Sequence, residues 1–212
     1  AMDVVNRLLA MGVDTNHQLT RMRPNGPGRG RFADYDMRGG TSALHIATFS
    51  HDHESIQTLL NHGAEVDLIN VFRLTPLMYA AGMSGNSRGP GGRDSDDIQE
   101  KAITTINLLL DAGADINAKV TDSRTFTAKL DTYIQRKENE GRSALFAAAE
   151  QGWDKVVAHL LERGADPTFR DIDGLTALDA ALAPARTGPG ARRQDVTDRQ
   201  ATAALLSGVL SE

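Results

Sequence analysis

Gly141-Arg142-Ser143-Ala144-Leu145-Phe146-Ala147-Ala148-Ala149-Glu150-Gln151-Gly152-Trp153-Asp154-Lys155-Val156-Val157-Ala158-His159-Leu160-Leu161-Glu162-Arg163-Gly164-Ala165-Asp166 reads as one complete helix–turn–helix unit. Ser143 is of the type that caps a helix by accepting a backbone N–H. The alanines after Leu145 are small enough to let a neighbouring helix approach closely. Val156, Val157, Leu160 and Leu161 form an apolar stripe at i, i+1, i+4 and i+5. Gly164 then supplies the left-handed residue that ends the second helix. A unit this small cannot bury its apolar stripe alone, so it must stack on copies of itself.

The copies are present. Gly40-Thr41-Ser42-Ala43-Leu44-His45-Ile46-Ala47, Leu74-Thr75-Pro76-Leu77-Met78-Tyr79-Ala80-Ala81 and Gly174-Leu175-Thr176-Ala177-Leu178-Asp179-Ala180-Ala181 align with the segment at Leu145. Leu44 to Leu77 is 33 residues, and so is Leu145 to Leu178. A second mark follows each second helix, at Gly12-Val13-Asp14, Gly63-Ala64-Glu65, Gly113-Ala114-Asp115 and Gly164-Ala165-Asp166. Leu44 to Gly63 is 19 residues, as is Leu145 to Gly164. Pro76 falls at a first helical position, where a missing N–H costs nothing.

On these residues the chain resembles the ankyrin repeat family. The signature Thr-Pro-Leu-His-x-Ala is matched by Ser42-Ala43-Leu44-His45-x-Ala47 and by Thr75-Pro76-Leu77-Met78-x-Ala80. The resemblance covers about two thirds of the chain and implies an all-α solenoid of stacked helix–loop–helix units. It divides the chain into a half repeat at 1–16, an insertion at 15–38 and a repeat at 39–68. A repeat at 70–117 follows, with an insertion at 82–97. Next come an insertion at 118–137, a repeat at 138–168 and a C-terminal capping repeat at 171–212, which ends in a helix over Ala201–Leu210. The glycine-rich inserts resemble those of bacterial members of the family.

The departures from the period are the most individual feature. Gly12 to Leu44 and Gly113 to Leu145 each span 32 residues, against 14 for Gly63 to Leu77, so each finger gains 18. Leu77 to Gly113 spans 36 instead of 19, a gain of 17 between two helices of one repeat. A further long loop runs from about Pro184 to Gln194. Pro24-Asn25-Gly26-Pro27-Gly28-Arg29-Gly30 reads as turn or loop. Phe126, Leu130, Tyr133 and Ile134 suit a short amphipathic helix or a packed loop. Asp94 or Ser95 is placed to cap the helix that follows the third insertion, with Asp96 and Asp97 in its first turn.

Charge divides along the same line. Over 15–38, 82–97, 118–137 and 184–199 there are 16 basic and 9 acidic residues, whereas the remaining scaffold carries 7 and 19. A basic set of loops thus decorates an acidic solenoid whose total is −5. Either the loops fold back on the scaffold, or they present arginines, with Arg21, Arg23, Arg29 and Arg31 foremost, to an acidic partner.

The two finger insertions should stand roughly 20 Å apart on one edge, since stacked helices lie about 10 Å apart. Between them runs Asn70-Val71-Phe72-Arg73-Leu74, unusually apolar for a finger. One reading is a groove with Val71, Phe72 and Leu74 on its floor, extended by Phe49, Tyr79, Met83 and Phe146. The other is a local core in which the insertions simply cover Phe72 and Leu74.

Catalytic chemistry finds no pattern here. His51-Asp52-His53-Glu54 has no third ligand in sequence and suits solvated side chains. His45 belongs to the repeat signature, where a ring nitrogen bonds backbone. Arg88-Gly89-Pro90-Gly91-Gly92-Arg93 lacks the Gly-Lys-Ser/Thr ending of a phosphate loop. Asp94, Asp96 and Asp97 lack the spaced ligands of a calcium loop. Trp153 suits an interhelix packing anchor. There are no cysteines, which excludes disulfides and thiolate metal sites and leaves the compartment open. No apolar run approaches the 18 or so residues that a spanning helix needs.

The expectation is therefore a non-enzymatic protein-interaction domain, a scaffold or adaptor, that binds a protein partner and needs no cofactor or metal. The alternatives are an accessory domain or subunit of an enzyme, and a small-ligand or anion module built on the arginine loops. The Arg-Gly stretch with Phe32 and Tyr35 hints at nucleic acid, but the acidic scaffold argues against it. Ala1 opens inside a second helix, so the reading expects an upstream helix or domain, or else an apolar patch at Val4, Val5 and Leu8 open to self-association.

Overall fold

The computed structural model describes residues 2–19, 40–83, 95–121, 139–183 and 196–211. Arg21, Arg23, Arg29, Arg31, Phe126, Leu130, Tyr133, Ile134, Asp94 and the Arg88–Arg93 stretch lie outside them. The described residues form nine helices: α1 (Met2–Ala10), α2 (Ala43–Phe49), α3 (His53–Asn61), α4 (Pro76–Ala80), α5 (Ser95–Asp111), α6 (Ala144–Gln151), α7 (Asp154–Glu162), α8 (Ala177–Leu182) and α9 (Val196–Leu210). They stack in two layers. First helices α2, α4, α6 and α8 pack in chain order, and second helices α3, α5, α7 and α9 pack in order behind them.

Local chemistry fixes the ends of the helices. Thr75 Oγ1 accepts the N–H of Met78 at 3.4 Å, with Pro76 at the first helical position. Thr176 and Asp179 form a reciprocal capping box at the start of α8. Leu44, Leu77, Leu145, Ile56, Ile106 and Leu160 are fully buried, in one core that runs from repeat to repeat. Each such side chain withdrawn from water contributes about 1.5–3 kcal/mol. The alanines at 47, 80, 81 and 147–149 are buried in the same core.

The chain repeats on a second, longer scale. A shift of 101 residues carries Gly12 onto Gly113, Leu44 onto Leu145, Gly63 onto Gly164 and Leu74 onto Leu175. The same shift carries α4 onto α8 and the start of α5 at Ser95 onto the start of α9 at Val196. It also carries the hydrogen bonds. Leu19 donates to Thr41 O at 3.0 Å and Gly40 to Leu19 O at 2.7 Å; Val120 donates to Arg142 O at 3.0 Å and Gly141 to Val120 O at 2.8 Å. The solenoid is thus built from a duplicated two-repeat unit.

The helix after each inter-helix insertion starts early and leans on the neighbouring repeat. α9 begins at Val196 rather than at Ala201, because Arg199 in its first turns donates to Glu150 O and to Ala183 O, both at 2.6 Å. In α5, buried Gln99 accepts the N–H of Lys155 at 2.9 Å and donates to Asp154 Oδ1 at 3.2 Å, capping α7 from another repeat. Trp153 is buried beside Gly82, where any Cβ would come within 3.2 Å of its ring. At the other end, α1 lies beside α3, with Ser55 Oγ donating to Met2 Sδ at 3.4 Å. Its Val4 and Leu8 are 58% and 45% exposed.

Candidate partner-binding surface

The fingers are held by side-chain amides and carboxylates. After the second repeat, Asn70 Oδ1 accepts the N–H groups of Phe72 at 2.9 Å and Leu74 at 3.1 Å, while its Nδ2 donates to Tyr79 Oη at 2.8 Å. At the matching place 101 residues on, Asp171 Oδ1 accepts from Asp173 at 3.0 Å and Leu175 at 2.9 Å. Its Oδ2 receives Arg142 Nε at 3.2 Å. The Arg142 guanidinium also lies 4.3 Å over the Phe146 ring and 3.3 Å from Glu150.

Gly174, at the turn of the last finger, has φ +79. The first copy has Arg73 there, at φ +63, a left-handed conformation that costs a residue with a Cβ about 1–2 kcal/mol. Its Nε donates to Thr121 O at 2.9 Å, which ties this finger to the next.

Of the two readings of the apolar finger, an open floor or a local core, burial contradicts the open floor at most of its positions. Leu74 is 0% and Val71 6% exposed, and Tyr79, Met83 and Phe146 are buried as well. These side chains are packing: Leu74, Tyr79 and Met83 belong to the core that runs from repeat to repeat, and the Arg142 guanidinium lies over the Phe146 ring. Phe72 and Phe49 are half-buried at the margin of the core. Phe49 meets Tyr79 edge-on at 6.0 Å, and Tyr79 meets His45 in the same way at 5.7 Å.

Among the described residues, the second copy keeps an apolar finger surface open at the places where the first is sealed. Ile172 and Leu175, which match Val71 and Leu74, are 43% and 42% exposed, and Leu182 nearby in sequence is 65% exposed. Sequence reading missed them. The 101-residue offset, which sets them against Val71 and Leu74, was the signal that could have found them. Beside Ile172 lies an open recess of about 250 Å³ bordered by Lys119, Thr121, Glu140, Gly141 and Arg170. Lys119 Nζ sits 4.2 Å over the Phe169 ring at this edge.

Five of the six histidines bond neighbouring side-chain or backbone groups. His45 Nε2 donates to Leu74 O at 3.1 Å, and its Nδ1 accepts from Ser42 N at 3.2 Å and faces Ser42 Oγ at 2.8 Å. Burial holds its pKa down to about 4, against the opposing pull of the Leu74 carbonyl. His51 Nδ1 pairs with Thr105 Oγ1 at 3.0 Å, and His53 Nε2 donates to Lys101 O at 3.1 Å. Burial, with His53 and Lys101 nearby, also lowers His51 to about 4. No group of three metal-binding side chains occurs among the described residues. No helix there is long and apolar enough to cross a membrane.

Two layers of short helices, with Ser or Thr at the N-cap position of each first helix and hydrogen-bonded fingers between repeats, define the class as a helical-repeat solenoid. The ankyrin repeat profile matches residues 39–71 and 140–172, and the chain carries ankyrin repeats at these two places. It is 28% identical over 158 residues to the Ankyrin repeat and KH domain-containing protein mask-1 of Caenorhabditis elegans. It is 24% identical over 143 residues to the B-cell lymphoma 3 protein homolog of Mus musculus. These matches cover 66% and 67% of this chain but only 5% and 24% of the relatives' lengths. Ankyrin repeats generally mediate protein–protein interaction, and the family is typically non-enzymatic.

Proposed function

We propose that this chain is a non-enzymatic scaffold or adaptor domain that holds a protein partner along its finger edge and the adjoining first-helix face. The observation that carries the reading is the open apolar surface of the last finger at Ile172 and Leu175, on the same edge as half-buried Phe72. Interaction surfaces gain most from apolar groups that lose water on binding. The basic composition of the insertions, with Arg21, Arg23, Arg29 and Arg31, supports a partner with an acidic face and a salt-dependent association rate.

The test is a capture experiment on the full chain from lysate of its source organism. It compares the parent with Ile172→Asp/Leu175→Asp and with Phe72→Asp, all shown to be folded by circular dichroism. A protein retained by the parent and lost from either variant supports the finger edge. Identical captures from all three overturn it.

A further inference from the structure

Three side chains hold one register in successive fingers: Asn16, Asp67 and Asn117. Each reaches the Gly-Ala-acid turn of the next repeat. Asn16 Oδ1 accepts the N–H of Glu65 at 2.7 Å, and its Nδ2 donates to Gly63 O at 3.2 Å. Asn117 repeats this geometry on Asp166 N at 2.9 Å and Gly164 O at 3.2 Å. These are rungs of a ladder along the finger edge, each with one bond accepted and one donated.

The middle rung is chemically different. Asp67 Oδ2 accepts the N–H of Asp115 at 2.9 Å, as its neighbours' oxygens do. The other oxygen, Oδ1, is buried and has no hydrogen-bond partner. By register it stands for the amide nitrogen of Asn16 and Asn117, whose acceptor in this repeat is the Gly113 carbonyl. An ionised carboxylate has no hydrogen to give that carbonyl. A neutral carboxyl has one.

We infer that Asp67 is a proton-dependent rung: protonated, it donates to the Gly113 carbonyl and completes the joint between the second and third repeats; ionised, it leaves that joint held by one bond. Burial raises the Asp67 pKa, and the Asp115 carboxylate pushes it the same way, against the pull of the Asp115 N–H. The direction agrees with the geometry. A carboxyl raised in the folded state adds stability below its unfolded value, and that addition is lost as pH rises through the folded value. This joint is therefore firmest in mild acid, while the flanking Asn rungs do not respond.

Asp67→Asn and Asn117→Asp test this by urea unfolding of the full chain from pH 7.5 to pH 4. At pH 7.5, Asp67→Asn should raise the folding equilibrium constant by roughly threefold, the worth of one partly exposed hydrogen bond to a neutral partner. The advantage should shrink steadily toward pH 4. Histidine titration is common to both chains and cancels in the difference. Asn117→Asp should lose stability at pH 7.5 and recover it in acid. A carbon-detected NMR titration should place the Asp67 midpoint above the ordinary 3.8. An Asp67→Asn effect that is zero at pH 7.5 or constant across the range overturns the inference. So does an Asn117→Asp loss that persists in acid, or an Asp67 midpoint at or below 3.8.

Discussion

Leu74 and Leu175 occupy the same place in two fingers 101 residues apart, and one is sealed while the other is 42% exposed. Their own turns are nearly superimposable in bonding. Asn70 or Asp171 accepts two backbone N–H groups in each, and the same backbone pair closes each loop. What differs is the neighbour. The first finger is roofed by the next, through Arg73 and Thr121, whereas no described finger stands beyond the second. In a stacked fold the burial of a finger residue is set by the repeat packed beyond it.

That contrast can be broken most forcefully at the leucines. Leu74→Asp places a charge in the core and should cost about 5 kcal/mol or unfold the domain. Leu175→Asp should stay within about 0.5 kcal/mol. Urea melts of the two variants side by side decide the matter, and comparable losses would mean that the fingers are not differently covered.

Acid sharpens the contrast next. The first copy has His45 where the second has Phe146. His45 titrates near 6.5 when unfolded and near 4 when folded, so the unfolded chain takes up the proton first. Stability should fall as pH drops from 6.5 to 4, by at most about 3 kcal/mol from this group. His45→Phe should remove its share of that slope and leave the share that His51 contributes. Hydrogen exchange at pH 5 should show α2 loosening before α6 in the parent, and equal protection would refute the assignment.

The glycines give a smaller effect. Gly141 has φ +84, and a Cβ there would lie 2.8 Å from Arg170 O, whereas Gly174 at φ +79 has open space around it. Gly141→Ala should cost about 3 kcal/mol and Gly174→Ala about 1, the latter from backbone strain alone. Thermal melts that rank them the other way would show that the last finger is the tighter one.

The smallest expected effect on stability is at Ile172→Asp, within about 0.5 kcal/mol. Its consequence should fall on partner capture instead, and a large loss of stability would mean that Ile172 is structural.

The architecture was legible because a repeat writes the same physics several times. Leu44, Leu77, Leu145 and Leu178 recur at a fixed register, and glycines at 63, 113 and 164 end the second helices. The surface was less legible. Val71, Phe72 and Leu74 read as an apolar finger, but whether such a finger is floor or core depends on a neighbour that local sequence does not contain. The same limit applied to Ile172 and Leu175, which look ordinary until compared with their duplicates. Gln99 and Arg199 were invisible for another reason. Each acts on a carbonyl or N–H group in a different repeat, and no local spacing rule points there.

Gln99 has a consequence for how the molecule comes apart. Solenoids whose units touch only by side-chain packing can fray from an end, one unit at a time, because each interface is broken independently. A buried amide that belongs to α5 but terminates the α7 backbone makes two units share one helix end. Opening either exposes an unsatisfied polar group in the other, so the melting boundary is penalised for stopping between them. Heated or pulled, the chain should give way around this clasp rather than through it, with the third and fourth repeats surviving longest as a single cooperative block.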